Sequence, residues 1–184
     1  MVIMDRQQIL NLAEVLGDMK TLKRTGWKNR CVPNPESDAE HSYSLAMLVL
    51  LLAPPHLDLL KALKLALVHD LPEVLCGDHV PGELSMETKA EREDEAMRRI
   101  AALVGENELH ELFTEFELHR SPEAEFVWVL DRLDNVFTAH YYDQRLDKGL
   151  STEFAKSARE RIGVLHDNDA RETLSAAVEA LCRK

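Results

Sequence analysis

Leu67-Val68-His69-Asp70-Leu71-Pro72-Glu73 closes an apolar helical run, and its three ionisable side chains decide how the whole chain is read. On a continuous α-helix, residues i, i+1 and i+4 stand at about 0°, 100° and 40° around the axis. His69, Asp70 and Glu73 would then share one side, where the run's own pattern calls for burial. Burying an imidazole and two carboxylates is costly unless something neutralises them. A divalent metal does so. Pro72 removes the hydrogen bond to Val68 and predicts a kink, a bend of the kind that converges side chains on a point.

Outward from this heptapeptide the chain reads as helix after helix, with almost no strand signal. A first amphipathic helix is expected over about Arg6 to Lys20, with Ile9, Leu12, Ala13 and Leu16 on its buried face. Ser37-Asp38-Ala39-Glu40 is a capping box opening a second helix that stops at Pro54-Pro55. A third, about Leu57 to Leu75, carries the opening motif, and Gly77-Asp78-His79-Val80-Pro81-Gly82 is a turn-rich loop. A very polar helix follows Ser85 and stops at Gly105, its Glu87 to Arg99 stretch expected to be a solvated face; a shorter one covers about Asn107 to His119. Ser121-Pro122 starts a long helix with Gly149 as its stop. Two more, about Thr152 to Leu165 and Ala170 to Arg183, complete the chain, the last opened by the box Asp169-Ala170-Arg171-Glu172. The expectation is one all-α domain over residues 1–184, a compact bundle of about seven to nine helices.

Composition narrows the function. At 184 residues, 45% hydrophobic and 30% charged, the chain is long enough for a real core and too apolar for disorder. Its net charge of −11 argues against a nucleic-acid partner. Three distant cysteines, Cys31, Cys76 and Cys182, make no disulfide framework and no zinc ribbon. The longest apolar stretch, Leu45 to Ala53, is too short to cross a membrane, and the N-terminus lacks a secretory pattern. A cytoplasmic location is the expectation. Against the acidic background, Lys20 to Arg30 holds five cations in eleven residues and no acid. On charge alone that is a solvated loop.

Further ligand-type residues occupy apolar helical sequence. His41 precedes Leu45-Ala46-Met47-Leu48-Val49-Leu50 by one turn, and Asp131 interrupts Phe126-Val127-Trp128-Val129-Leu130. Two imidazoles and a carboxylate from two helices make a plausible set for a divalent ion, with Asp131 as a fourth donor. Asp134 shares the Asp131 face and competes with it. The bland reading is a helix-surface acid paired with an Arg.

The order His41, His69-Asp70, Asp131 resembles the signature of the HD-domain metal-dependent phosphohydrolases. Over about residues 10 to 180 the resemblance is closer. Arg24-Thr25-Gly26-Trp27, Glu36-Ser37-Asp38-Ala39-Glu40-His41-Ser42, the opening heptapeptide and Gly77-Asp78 look like the 5′-deoxynucleotidase subgroup, which includes the bacterial YfbR type and the eukaryotic HD-domain-containing protein 2 type. The resemblance implies an HD-domain helical bundle that hydrolyses deoxynucleoside 5′-monophosphates with Co²⁺, Mn²⁺ or Mg²⁺, as a homodimer. By it, His41, His69, Asp70 and Asp131 hold the metal, and Asp70 and Asp131 also border the substrate. Glu73 orients or deprotonates the attacking water and, with Asp78, contributes to a second metal position. Arg24 orients the phosphate, and Asp78, His79, Val80 and Pro81 contact the sugar.

Two departures stand out. Thr25-Gly26 separates Arg24 from Trp27, where the YfbR type places Trp directly after the Arg, which leaves the part of Trp27 open. His79 follows Asp78 where a small or apolar residue is usual, and its side chain is expected to point to water rather than to a metal. Independently of the resemblance, a metal held by two imidazoles and two carboxylates keeps open positions at which it can acidify water and stabilise a transferring phosphoryl group. Glu73 can accept the water's proton, and the Arg24 fork can neutralise a phosphate, moving the basic run from solvated loop to phosphate clamp. Competing readings are another HD hydrolase (guanosine tetraphosphate hydrolase or cyclic-nucleotide phosphodiesterase) or a non-catalytic, metal-stabilised interaction module. The tetraphosphate hydrolases usually carry His-Asp-x-x-Glu-Asp, whereas Val74 follows Glu73 here.

Overall fold

A computed structural model describes residues 4–80 and 82–183. Among them ten helices form, and the only β-type pairing is an isolated antiparallel bridge between Lys23 and Ser37. The helices are α1 Arg6–Thr21, α2 Thr25–Asn29, α3 Asp38–Leu52, α4 Leu59–Val68, α5 Glu73–Cys76, α6 Met86–Val104, α7 Glu108–Glu117, α8 Pro122–Leu146, α9 Leu150–Ile162 and α10 Asn168–Cys182. The count exceeds the expected seven to nine because two single-turn helices, α2 and α5, form in segments expected to be a loop and the end of a longer helix.

The chain divides into two compact units: Met1–Tyr43 with Leu67–Glu117, and Ser44–Ala66 with Leu118–Lys184. In the first, α1 packs on α5 and α6, and α6 on α7. The Asp5 carboxylate caps α1 by accepting from Gln8 N–H, while the Gln8 side chain accepts from Asp5 N–H. The buried stripe of α1 runs through Val15 and Met19, and Asn11 donates to the Leu103 carbonyl of α6. Ile9 and Leu16, assigned above to the buried face, are 54% and 47% exposed. The real stripe lies one residue earlier, through Gln8, Asn11, Leu12, Val15 and Met19, a rotation of about 100°. It is the less apolar of the two, and the bond from Asn11 to the Leu103 carbonyl accompanies that choice. The polar helix α6 likewise has a buried side, Ala96, Met97 and Ile100, and it includes Glu93, whose carboxylate pairs with Lys89.

In the second unit α8 packs against α9 and α10. Ala124, Val127, Leu130, Leu133, Val136 and Ala139 are completely buried along α8. Small side chains on α9, Ala155 and Ala158, allow close approach. Two boundaries differ from expectation. Gly149 is the N-cap of α9 rather than the stop of α8, which ends at Leu146 with Asp147 in the left-handed region. The last helix starts at Asn168 because Asp167 accepts from Ala170 N–H, which makes Asp167 its cap. No helix among the described residues is long and apolar enough to cross a membrane.

Candidate metal centre

The opening motif does not lie on one helix. α4 ends at Val68, residues 69–72 form a turn, and α5 begins at Glu73. The cause is local. Pro72 has no N–H to offer the Val68 carbonyl, which accepts instead from Leu71 three residues on, and Glu73 N–H turns back to the Asp70 carbonyl. The turn sends His69, Asp70 and Glu73 to one place by a sharper route than helical periodicity.

There His41, fully buried in the first turns of α3, meets them. Its Nε2 is 3.3 Å from His69 Nε2 and 3.6 Å from Asp70 Oδ2, and His69 Nε2 is 3.1 Å from the same oxygen. Neighbouring ligands around one ion that sits about 2.1 Å from each would be about 3 Å apart. Two imidazole nitrogens and a carboxylate oxygen so placed are a chemically sound donor set for a divalent metal. Phe116 packs edge-on to His69, fixing the ring from behind.

Arg24 closes the group from the basic segment. The Lys23–Ser37 bridge and the bonds from Arg24 N–H to the Glu36 carbonyl and from Asp38 N–H to the Leu22 carbonyl lay this segment against the start of α3. Arg24 Nη1 then donates to Asp70 Oδ2 at 2.7 Å, with Asp38 Oδ1 at 3.8 Å and Glu36 Oε1 3.9 Å from Nε. Burial alone would raise the Asp70 carboxyl, but His69 and Arg24 outweigh it and hold Asp70 well below the ordinary carboxylate range. Glu73 goes the other way. It is 6% exposed, its Oε2 has no hydrogen-bond partner, and burial together with Asp70 and Asp78 pushes its carboxyl well up.

The loop residues are placed as follows. Asp78 is pinned against α2, its side chain accepting from Thr25 N–H and its carbonyl from Thr25 Oγ1. His79 does not simply face water: Nε2–H donates to the Cys76 carbonyl at 2.9 Å and Nδ1 lies 3.3 Å from Glu83. Val80 is half-buried, its side chain beside Gly26, and Pro81 lies outside the described residues. Trp27 is 1% exposed with its indole N–H on Glu36 Oε1 at 2.8 Å, so it is part of the core.

Asp131 and Asp134 belong to the second unit. Asp131 accepts from Arg161 Nη1 at 2.8 Å, and that guanidinium also lies over the Trp128 ring. Asp134 is fully buried and accepts from Ser44 Oγ. Asp38 and Glu36 were not singled out from the sequence, although Asp38 sits three residues before His41, a spacing that shares a helix face.

Residues 16–168 match the HD domain family. The 5′-deoxynucleotidase HDDC2 of Bos taurus is 36% identical over 146 residues, covering 77% of this chain and 71% of the relative. The 5′-deoxynucleotidase hdd1 of Schizosaccharomyces pombe is 35% identical over 147 residues, covering 76% and 74%. The solved PH0347 protein of Pyrococcus horikoshii superposes with a TM-score of 0.81 at 32% identity, over 94% of this chain and 99% of that one. With its His-Asp doublet in a metal-type donor set and a match running from before Arg24 to beyond Asp131, this chain belongs to the HD domain family.

Proposed function

We propose that the protein is a metal-dependent 5′-deoxynucleotidase, hydrolysing deoxynucleoside 5′-monophosphates to deoxynucleoside and phosphate. One observation carries the reading: His41, His69 and Asp70 bring three donor atoms within 3.1–3.6 Å of one another, with the Arg24 fork on the same carboxylate. The names of relatives at 35–36% identity supply the substrate class.

In this proposal His41, His69 and Asp70 hold the metal, and Asp131 completes the set on the strength of its place in the sequence order. Co²⁺, Mn²⁺ and Mg²⁺ are the candidate ions, with a second metal position at Glu73 and Asp78. When bound, the ion supplies positive charge for the phosphate and acidity for water. Arg24 grips the phosphate oxygens and orients phosphorus for in-line attack. Water adds to phosphorus as its proton passes to Glu73, the P–O5′ bond breaks, and the proton held by Glu73 passes on to O5′, so that the sugar leaves as the 5′-alcohol and the carboxylate is restored. Asp70 and Asp131 border the phosphate, and Asp78, His79 and Val80 face the sugar. The Thr25 bonds hold Asp78 ready for that contact. The proposal includes a single working domain over the whole chain, a cytoplasmic location and a homodimer.

The test is phosphate release from a panel of deoxynucleoside and ribonucleoside 5′-monophosphates with added Mn²⁺ or Co²⁺. Turnover of the deoxynucleotides is expected, abolished by Glu73→Ala. No turnover of any deoxynucleotide by protein with metal bound would sink the proposal.

A further inference from the structure

The roles above leave Asp38 without a task, yet it is the most unusual acid in the molecule. It is the first residue of α3, completely buried, and neither carboxylate oxygen has a hydrogen-bond partner. One oxygen each from Asp38, Glu73 and Asp78 lies within 4.8 Å of the others. Of the five buried side-chain atoms without a partner among the described residues, three belong to this trio: both oxygens of Asp38 and Oε2 of Glu73. Native interiors rarely leave such atoms unsatisfied without a reason.

Simpler explanations fit less well. A helix N-terminus favours an acid, but Asp38 N–H bonds to the Leu22 carbonyl, Glu40 N–H to Ser37 Oγ and His41 N–H to the Ser37 carbonyl, and the Asp38 oxygens accept from no N–H of α3. Arg24 is the nearest cation, but at 3.8 Å it is beyond hydrogen-bond reach of Asp38 and commits its short bond to Asp70. Asp78 is fixed on one side by Thr25.

We infer that Asp38 is a ligand of a second divalent cation, held by the carboxylates of Asp38, Glu73 and Asp78. This rests on the second metal position proposed above and extends it to a third donor, from the start of α3. An ion about 2.1 Å from each oxygen keeps its ligands about 3 to 4.2 Å apart, and the trio's oxygens already lie within 4.8 Å of one another. The donor set is all oxygen and triply anionic when loaded, in contrast to the imidazole-rich set of His41 and His69. Hard ions, Mg²⁺ or Mn²⁺, match it.

The test is Mn²⁺ binding to protein stripped with EDTA, by calorimetric titration and by metal content after dialysis, without substrate. The variants are D38N and D38S, with H41A to mark the imidazole site. Two Mn²⁺ per wild-type chain are expected. In D38N and D38S the affinity of one site falls at least tenfold and the other is kept, whereas H41A loses the site that D38N retains. In EDTA both Asp38 variants melt at or above the wild-type temperature, because a buried acid has been removed. Equal number and affinity of Mn²⁺ in wild type and both variants overturns the inference, as does a single ion per wild-type chain at saturation. Because no nucleotide is present, a failure of the deoxynucleotidase reading leaves this result untouched.

Discussion

Replacing Glu73 by Gln should make the metal-free protein more stable while destroying its activity. At an effective dielectric of about 20, two ionised carboxylates within 4.8 Å repel by about 3.5 kcal/mol or more. Asp38 and Asp78 both lie within that distance of Glu73, so ionising Glu73 against the two of them would cost roughly 7 kcal/mol. Proton uptake relieves most of this, since the Glu73 and Asp38 carboxyls are both pushed up. What remains is the buried, unpartnered Oε2, worth about 1–3 kcal/mol. Gln has the same shape and turns an N–H toward those oxygens. For a chain of this length that gain raises the melting temperature by about 2–12 °C. Turnover should fall by on the order of 10²–10⁴ with the loss of the general base. The assay is a pair of melts in EDTA and in excess Mn²⁺, beside phosphate release. Wild type should gain more from Mn²⁺ than E73Q does. If E73Q melts at or below wild type in EDTA, the carboxylate trio is not a cost to the metal-free fold and the reasoning fails.

Three further outcomes follow from local geometry. Asp143 accepts from Leu150 N–H, Ser151 N–H and Ser151 Oγ, doing the work that the side-chain-less N-cap Gly149 cannot. Burial raises its carboxyl, but these bonds outweigh it and lower the value. The carboxylate therefore stabilises the fold above its ordinary value near 3.8 and loses that effect as pH falls through the lower folded value. D143N should cost about 1–2 kcal/mol in urea unfolding at pH 7, with the gap to wild type closing only below about pH 4. W27F should lower stability by about 1–3 kcal/mol by depriving the half-buried Glu36 carboxylate of its indole donor. The ratio of kcat/KM for deoxy- over ribonucleotides should stay unchanged; a shift in that ratio would return Trp27 to the sugar wall. Gly105 ends α6 at φ +72°, and a Cβ there would displace the Gln8 side chain from its bond to Asp5 N–H. G105A should cost about 1–3 kcal/mol, read as a lowered melting temperature.

Much of the fold was legible because its signals are local. Ser37 with Glu40, Ser85, Gly105 and Ser121-Pro122 mark helix ends where the structure has them. Local pattern misleads where tertiary contacts override it. The most apolar stripe of α1 runs through Ile9 and Leu16, yet packing on α5 and α6 buries the Val15–Met19 side, about 100° away. The opening heptapeptide carries the pattern of a kinked helix; Pro72 instead ends α4 outright, because the Val68 carbonyl finds a closer donor in Leu71.

By itself the sequence determined that the chain is all-α and that His41 and His69-Asp70 are ligand-type residues in apolar surroundings. Both follow from spacing and from the cost of burying charge. Tertiary structure alone decided the electrostatics around that doublet. Arg24 reaches Asp70 across 46 positions of sequence through a bridge no periodicity announces, and Asp38, Glu73 and Asp78 gather from two helices and a loop. Periodicity reports which face of a helix an acid occupies. Whether a cation, a water or another acid meets it depends on segments distant in sequence, and those only the folded chain brings together.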